Sequence, residues 1–199
     1  IATGACALLR QYLRGQRGVT NPSAALLKAL LVNSATVPAG QSNAPDNTRG
    51  FGWLNLRNAL TPLPNGRQSF SDDVDLAIET GDVRELRLEI ADPARPLRVT
   101  LAYNDAEGSG VQNKLYLRLI EPDGVTTHDG DTSPFPTVTN NLQRVHVDSP
   151  AVGPWTIQVH GIDVLSGIGA FPADIRQDFA LAVINGVGFS AVPVDVVQT

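Results

Sequence analysis

The residues with the widest chemical reach sit in the run THDGDTS, where His128 lies beside Asp129, Asp131 and Ser133. Nucleophilic catalysis by serine needs a base in hydrogen-bond reach and a third group to orient that base. This run holds all three residue types, yet polar runs of this kind chiefly turn the chain. His146 in QRVHV and His160 at the end of PWTIQVH stand in strand-like segments and are expected to face solvent. A triad wholly within these residues is therefore not expected. Zinc-type chemistry lacks its signatures, since there is no HExxH, no helically spaced histidine pair and no cysteine pair. Cys6, the only cysteine, falls in an alanine-rich helix and reads as packing. Asp72, Asp73 and Asp75 in SDDVD read as a solvated edge, and Trp53 and Trp155 as packing residues. No P-loop or dinucleotide fingerprint occurs.

These side chains must be positioned by a chain of 199 residues, enough for one or two domains with a real core. The net charge of −5, with no basic run, argues against a nucleic-acid partner. No apolar stretch reaches the roughly 18 residues that would span a bilayer, so no membrane partner is expected. A lone cysteine also excludes a disulfide framework.

Two periodicities divide the chain. Residues 1–60 are helical in style. IATGACALLRQYL opens as a helix apolar on nearly every face, and TNPSAALLKALLVNSA supplies a second, with Asn21 as N-cap and Pro22 at its first position. In GFGWLNLRNAL, glycines flank Phe51 and permit close backbone approach. TPLPNG (61–66) reads as a linker. From Arg67 the period is two: VDLAIE, VRELRLEI, PLRVTLAY, KLYLRLI, QRVHV, PWTIQVH and DFALAVI predict seven or eight strands. GIDVLSGIGA reads as a flexible loop. The predicted fold is mixed, a helical piece followed by an all-β antiparallel sandwich, jelly-roll-like. The boundaries are 1–62, 63–186 and a tail at 187–199. A helix apolar all round must be buried on all sides. The β half has its own core and shows no obvious spare sheet, so residues 1–62 are expected to end a larger α/β domain.

IATGACALLR, TNPSAALLKALLVNSA and RGFGWLNLRNAL together resemble the C-terminal end of the catalytic domain of subtilisin-like serine proteases. RPLRVTLAYNDAEG, NKLYLRLIEPDG, NNLQRVHVDSP and QDFALAVING are similar to the β-barrel or jelly-roll domain appended in the alkaline secreted branch of that family. The resemblance implies a secreted endopeptidase that hydrolyses peptide bonds through an acyl-enzyme, needs no cofactor and acts on protein or peptide substrates. It implies no catalytic residue in this chain: the nucleophilic serine of the G-T-S-x-A-T-P segment would lie about five residues before Ile1. The partner would be the N-terminal catalytic part, in the same or a separate chain. Lys114, Tyr116 and Gln143 stand where the family has carboxylates. Calcium takes about six to eight oxygen ligands, and Asp105, Asp129, Asp131, Asn140 and Asn141 are the oxygens left to supply them. The alternative to a protease part is a non-catalytic β-sandwich that recognises protein or glycan.

Overall fold

A computed structural model describes residues 1–43, 45–60, 68–90 and 92–191. The expected linker at 61–66 and the far part of the expected tail, 192–199, lie outside the described residues. The chain is mostly β, with two antiparallel sheets and few helices. No helix among the described residues is long and apolar enough to cross a membrane.

Helix α1 (Ala2–Gln16) buries one stripe only, through Ala5, Leu9 and Leu13 at helical spacing. Its other faces are exposed, Leu8 to 51%. The expected burial on all sides is thus not met among the described residues. Helix α2 (Ala24–Asn33) is buried along most of its length. Its N-cap is Ser23 rather than the expected Asn21, because the Ser23 hydroxyl accepts from the Leu26 N–H at 2.9 Å. Asp72 holds the cap in place, accepting from the Ser23 N–H at 2.8 Å and from its hydroxyl. Asp72 is therefore a structural anchor rather than part of a solvated edge. A short α3 (Leu56–Leu60) follows. Gly52 in the loop before it has φ +113°, and a Cβ there would meet the Thr36 carbonyl at 2.8 Å, so the close approach needs glycine.

The first sheet has the order β1-β8-β3-β6, from Ser69–Ser71, Ala180–Ile184, Leu97–Ala102 and Leu142–Val147. The second has the order β5-β4-β7-β2-β9, from Thr127–Asp129, Lys114–Ile120, Gly153–Asp163, Val83–Ile90 and Val187–Ala191. Every pairing is antiparallel. Alternate residues of both sheets, among them Leu88, Val99, Leu117, Ile157 and Leu181, meet in one apolar core. Trp155 lies fully inside it.

The period-two segments form strands where expected, with instructive exceptions. VDLAIE is a 3₁₀ turn at Val74–Leu76 followed by a single bridge from Ile78 to Gln177. The Asp73 carboxylate accepts from the Asp75 N–H at 3.0 Å, a local bond that competes with strand pairing. Residues 187–191 are the edge strand β9, paired with β2, where a tail was expected. Gly161–Asp163 likewise continue β7.

Strand β3 is buried on both faces, which an alternating strand with one wet side would not be. Val99 and Leu101 point into the sandwich, while Ala102, Ala180 and Ala182 on the opposite face pack with Leu26, Leu30 and Leu9 in a second core. The four-stranded sheet therefore does have a spare face, and α2 covers it. Alanine there leaves room for a helix to lie close. Ala182→Leu is expected to lower stability by about 1–3 kcal/mol by overpacking this seam. Equilibrium urea unfolding checks it, with a midpoint unchanged from wild type as the contrary result.

Candidate functional site

Strands β5 and β6, at the edges of the two sheets, face Gln41, Ser42, Asn43 and Pro45 across a groove of about 670 Å³. His128, Asp129, Asp131, Arg144, His146 and Asp148 line it. It brings together His128, Asp129, Asp131 and His146 from the residues singled out for chemistry, yet their bonds are structural. The His128 Nε2 lies 2.7 Å from Glu121 Oε1, and its ring stacks on Trp155 at 5.6 Å. Ser133 is tied through its backbone: its N–H donates to Asp131 and its carbonyl accepts from the Tyr116 hydroxyl. No recorded bond joins His128 to Ser133 among the described residues.

The five oxygen-bearing candidates are spread over separate bonds. Asp131 accepts from the Thr139 hydroxyl and from the N–H groups of Ser133, Thr139 and Asn140. Burial pushes its carboxyl upward, but those four donors outweigh burial and hold it below the ordinary carboxylate range. Asp129 takes both ends of the Arg118 guanidinium, at 2.8 and 3.2 Å. Asp105, in a different loop, accepts from the N–H groups of Ala106, Gln112 and Asn113. Asn141 joins Lys28 Nζ to the Tyr103 carbonyl, and the Asn140 amide donates to Thr139. Among the described residues no group of three or more His, Cys, Asp or Glu is placed to hold a metal ion. Among the described residues, the Asp105, Asp129 and Asp131 carboxylates are each engaged by protein donors.

His146 and His160 are half-buried rather than solvent-facing. The His146 ring lies between Arg98 and Asp148, and the His160 ring packs edge-on against Phe135. Trp155 is a core residue, as its strand position implies, and its indole N–H donates to the Ala151 carbonyl at 2.8 Å. Trp53 is instead 67% exposed, because its backbone pairs with Thr36 and leaves the side chain outside.

Three residues that sequence patterning passes over hold the groove together. Gln143 is buried between the sheets, where its amide accepts from the Leu117 N–H and donates to the Leu115 and Asn140 carbonyls. It acts as a piece of strand laid along β4. Gly130 completes the closure, donating to the Leu117 carbonyl and accepting from the Arg144 N–H. A Cβ on Gly130 would meet that of Leu117 at 2.9 Å, so the backbone passes only as glycine. Arg144 is almost fully buried against the helical layer, donating to the carbonyls of Val32, Asn43 and Phe51. Burial first, and Arg98 second, lower its guanidinium to about 10, which leaves it charged at neutral pH. In QRVHV the polar Gln143 and Arg144 resemble an exposed flank, and only the two-sided burial of β6 shows otherwise. Lys114 pairs with Asp163 at 3.1 Å, so the cation has an anion of its own.

A second surface is apolar. A groove of about 420 Å³ runs between α1, α2 and the loop at 51–54, lined by Ala2, Cys6, Leu27, Leu31, Phe51 and Leu54. Cys6 is half-buried there.

No known family model matches the chain. It is 25% identical over 207 residues to the Serine protease/ABC transporter B family protein tagA of Dictyostelium discoideum. The similarity covers 88% of this chain and 12% of that protein, so the chain spans a small part of its relative. It ties the chain to a protease-named protein through both the helical and the β part.

Gln143→Glu tests the closure. A carboxylate there still accepts from Leu117 but faces the Leu115 and Asn140 carbonyls with no proton to give. Its folded pKa must rise, so stability is lost above the unfolded value of about 4.3 and returns as pH falls. A loss of about 1–3 kcal/mol at pH 7 that shrinks towards pH 4 is expected in denaturant unfolding. A pH-independent difference would count against it.

Proposed function

We propose that the chain is the C-terminal portion of a secreted subtilisin-like serine endopeptidase. The carrying observation is the similarity to a serine-protease-named protein along 88% of the chain, through both halves. The resemblance of residues 1–60 and of the sandwich to the same protease branch supports it. So does the apolar groove beside α1, which a larger catalytic domain would cover.

In this proposal α1 stands behind a nucleophilic serine supplied by residues N-terminal to it. The positive end of the helix dipole favours negative charge developing at the reacting carbonyl. The serine oxygen adds to the substrate carbonyl, the amine leaves with a proton from the catalytic histidine, and water then cleaves the ester. Serine, histidine and aspartate come from the catalytic part outside residues 1–199. The sandwich holds that part through α2, and peptides or proteins outside the cell are the substrates.

A serine-hydrolase probe such as a fluorophosphonate, applied to the full natural protein, tests this. The label is expected on a serine N-terminal to Ile1, with none on residues 1–199 expressed alone. A label on Ser133 or another serine of this chain, or no label on the full protein, would overturn the proposal.

A further inference from the structure

On the helix-facing side of the four-stranded sheet, Arg98 of β3 and His146 of β6 are direct cross-strand partners. The Arg98 Nε donates to His146 Nδ1 at 2.9 Å, and its Nη1 donates to the Ala35 carbonyl just past α2 at 3.0 Å. On the other side of the ring, His146 Nε2 lies 2.8 Å from Asp148 Oδ1. An arginine has no acceptor to offer. The Nδ1 atom must therefore carry a lone pair, and the proton sits on Nε2 where Asp148 receives it. The geometry admits one state of the ring, the neutral Nε2–H tautomer.

We infer that His146 is an acid-sensitive latch between the sandwich and the helical layer: protonation at Nδ1 sets an N–H against the Arg98 N–H, breaks that bond and frees the arginine from the Ala35 carbonyl.

The charges around the ring favour the neutral form. Arg98 from β3 and Arg144 from β6 are cations, while Asp148 is the one bonded anion and its side chain is 80% exposed. Across the groove stand His128, bonded to Glu121, Asp129, bonded to Arg118, and Asp131, filled by N–H donors. Gln41, Ser42, Asn43 and Pro45 on the facing loop bring no titratable group. Burial pulls the His146 pKa below its ordinary value of 6.5; the Asp148 bond opposes this, and the two arginines add to it. A neutral form favoured by folding gives a definite sign. As pH falls below the unfolded value, the unfolded chain takes up a proton that the native ring refuses, and stability is lost until the native ring also titrates. Arg144 still holds Val32, Asn43 and Phe51, so release of Arg98 loosens the stretch that starts at Ala35, between those anchors, while α2 stays seated.

His160 is also half-buried with a lowered pKa, so acid lability of the whole chain would not isolate the latch. The variant His146→Gln does, because a glutamine amide can accept from Arg98 and donate to Asp148 without titrating. Hydrogen exchange over residues 35–42, corrected for intrinsic rates, is measured near pH 7.5 and near pH 5. In wild type the opening of this segment is expected to rise about tenfold on acidification, and in His146→Gln by less than about twofold. An equal acid response in both proteins, or none in wild type, would overturn the inference. Should the variant fail to fold, long-range ¹⁵N spectra of wild-type His146 decide the matter. The Nε2–H tautomer near pH 7.5 supports the latch, and an Nδ1–H or charged ring at that pH refutes it.

Discussion

Helix α2 sits close to a β-sheet because the sheet presents almost no side-chain height to it. Ala102, Ala180 and Ala182, with Thr100 beside them, form the strip on which Leu26 and Leu30 rest. Strand periodicity does the sorting: in β3 and β8 the odd positions carry Val and Leu into the sandwich, and the even positions Thr100, Ala102, Ala180 and Ala182 carry small residues outward beneath α2. One pair of strands thereby serves two cores. Everything on the helical side, including α1, α3 and both grooves, takes its place from that contact.

Polar groups lock both ends of the same helix. At its start, Asp72 holds Ser23, which in turn caps the helix, an arrangement of the kind worth about 1 kcal/mol. At its end, Arg144 and Arg98 reach across from the sheet to the Val32 and Ala35 carbonyls. Cations are favoured beside the negative end of a helix, yet burying Arg144, with no carboxylate bonded to it among the described residues, is costly. Buried Nε of Arg144 and Nδ2 of Asn33 find no partner among the described residues. Between the sheets, two buried amides are well partnered. Asn113 uses both ends of its amide on Leu165, Ser166 and Gln177, and Gln143 does the same on β4, so the sheets meet at a corner tied by amides.

Much of this was legible in the sequence, and the failures have physical causes. Strands such as VRELRLEI and PWTIQVH announce themselves because their alternation matches a half-buried sheet. The α2 contact does not, because alanine and threonine at outward positions carry no strong pattern. Residues 1–60 thus seemed to need a covering from elsewhere, when part of it was supplied by β3 and β8. Ser23 and Asn21 are both good caps in sequence, and only the position of Asp72 separates them. His128, Asp129, Asp131 and Ser133 cluster in sequence and line or adjoin one groove, but Glu121, Arg118 and residues 139–140, all outside that run, engage His128, Asp129 and Asp131. The similarity to the protease-named relative supports a general relation to proteases.

If one seam joins the two layers, they should open together. Native-state hydrogen exchange of the α2 amides at Leu27, Ala29 and Leu30, compared with those of Val99 in β3 and Leu181 in β8, reads this directly. The account predicts that all five converge on the same opening free energy as denaturant is raised, the signature of a shared cooperative unit. A separate, lower-energy opening of α2 while β3 and β8 stay protected would contradict it.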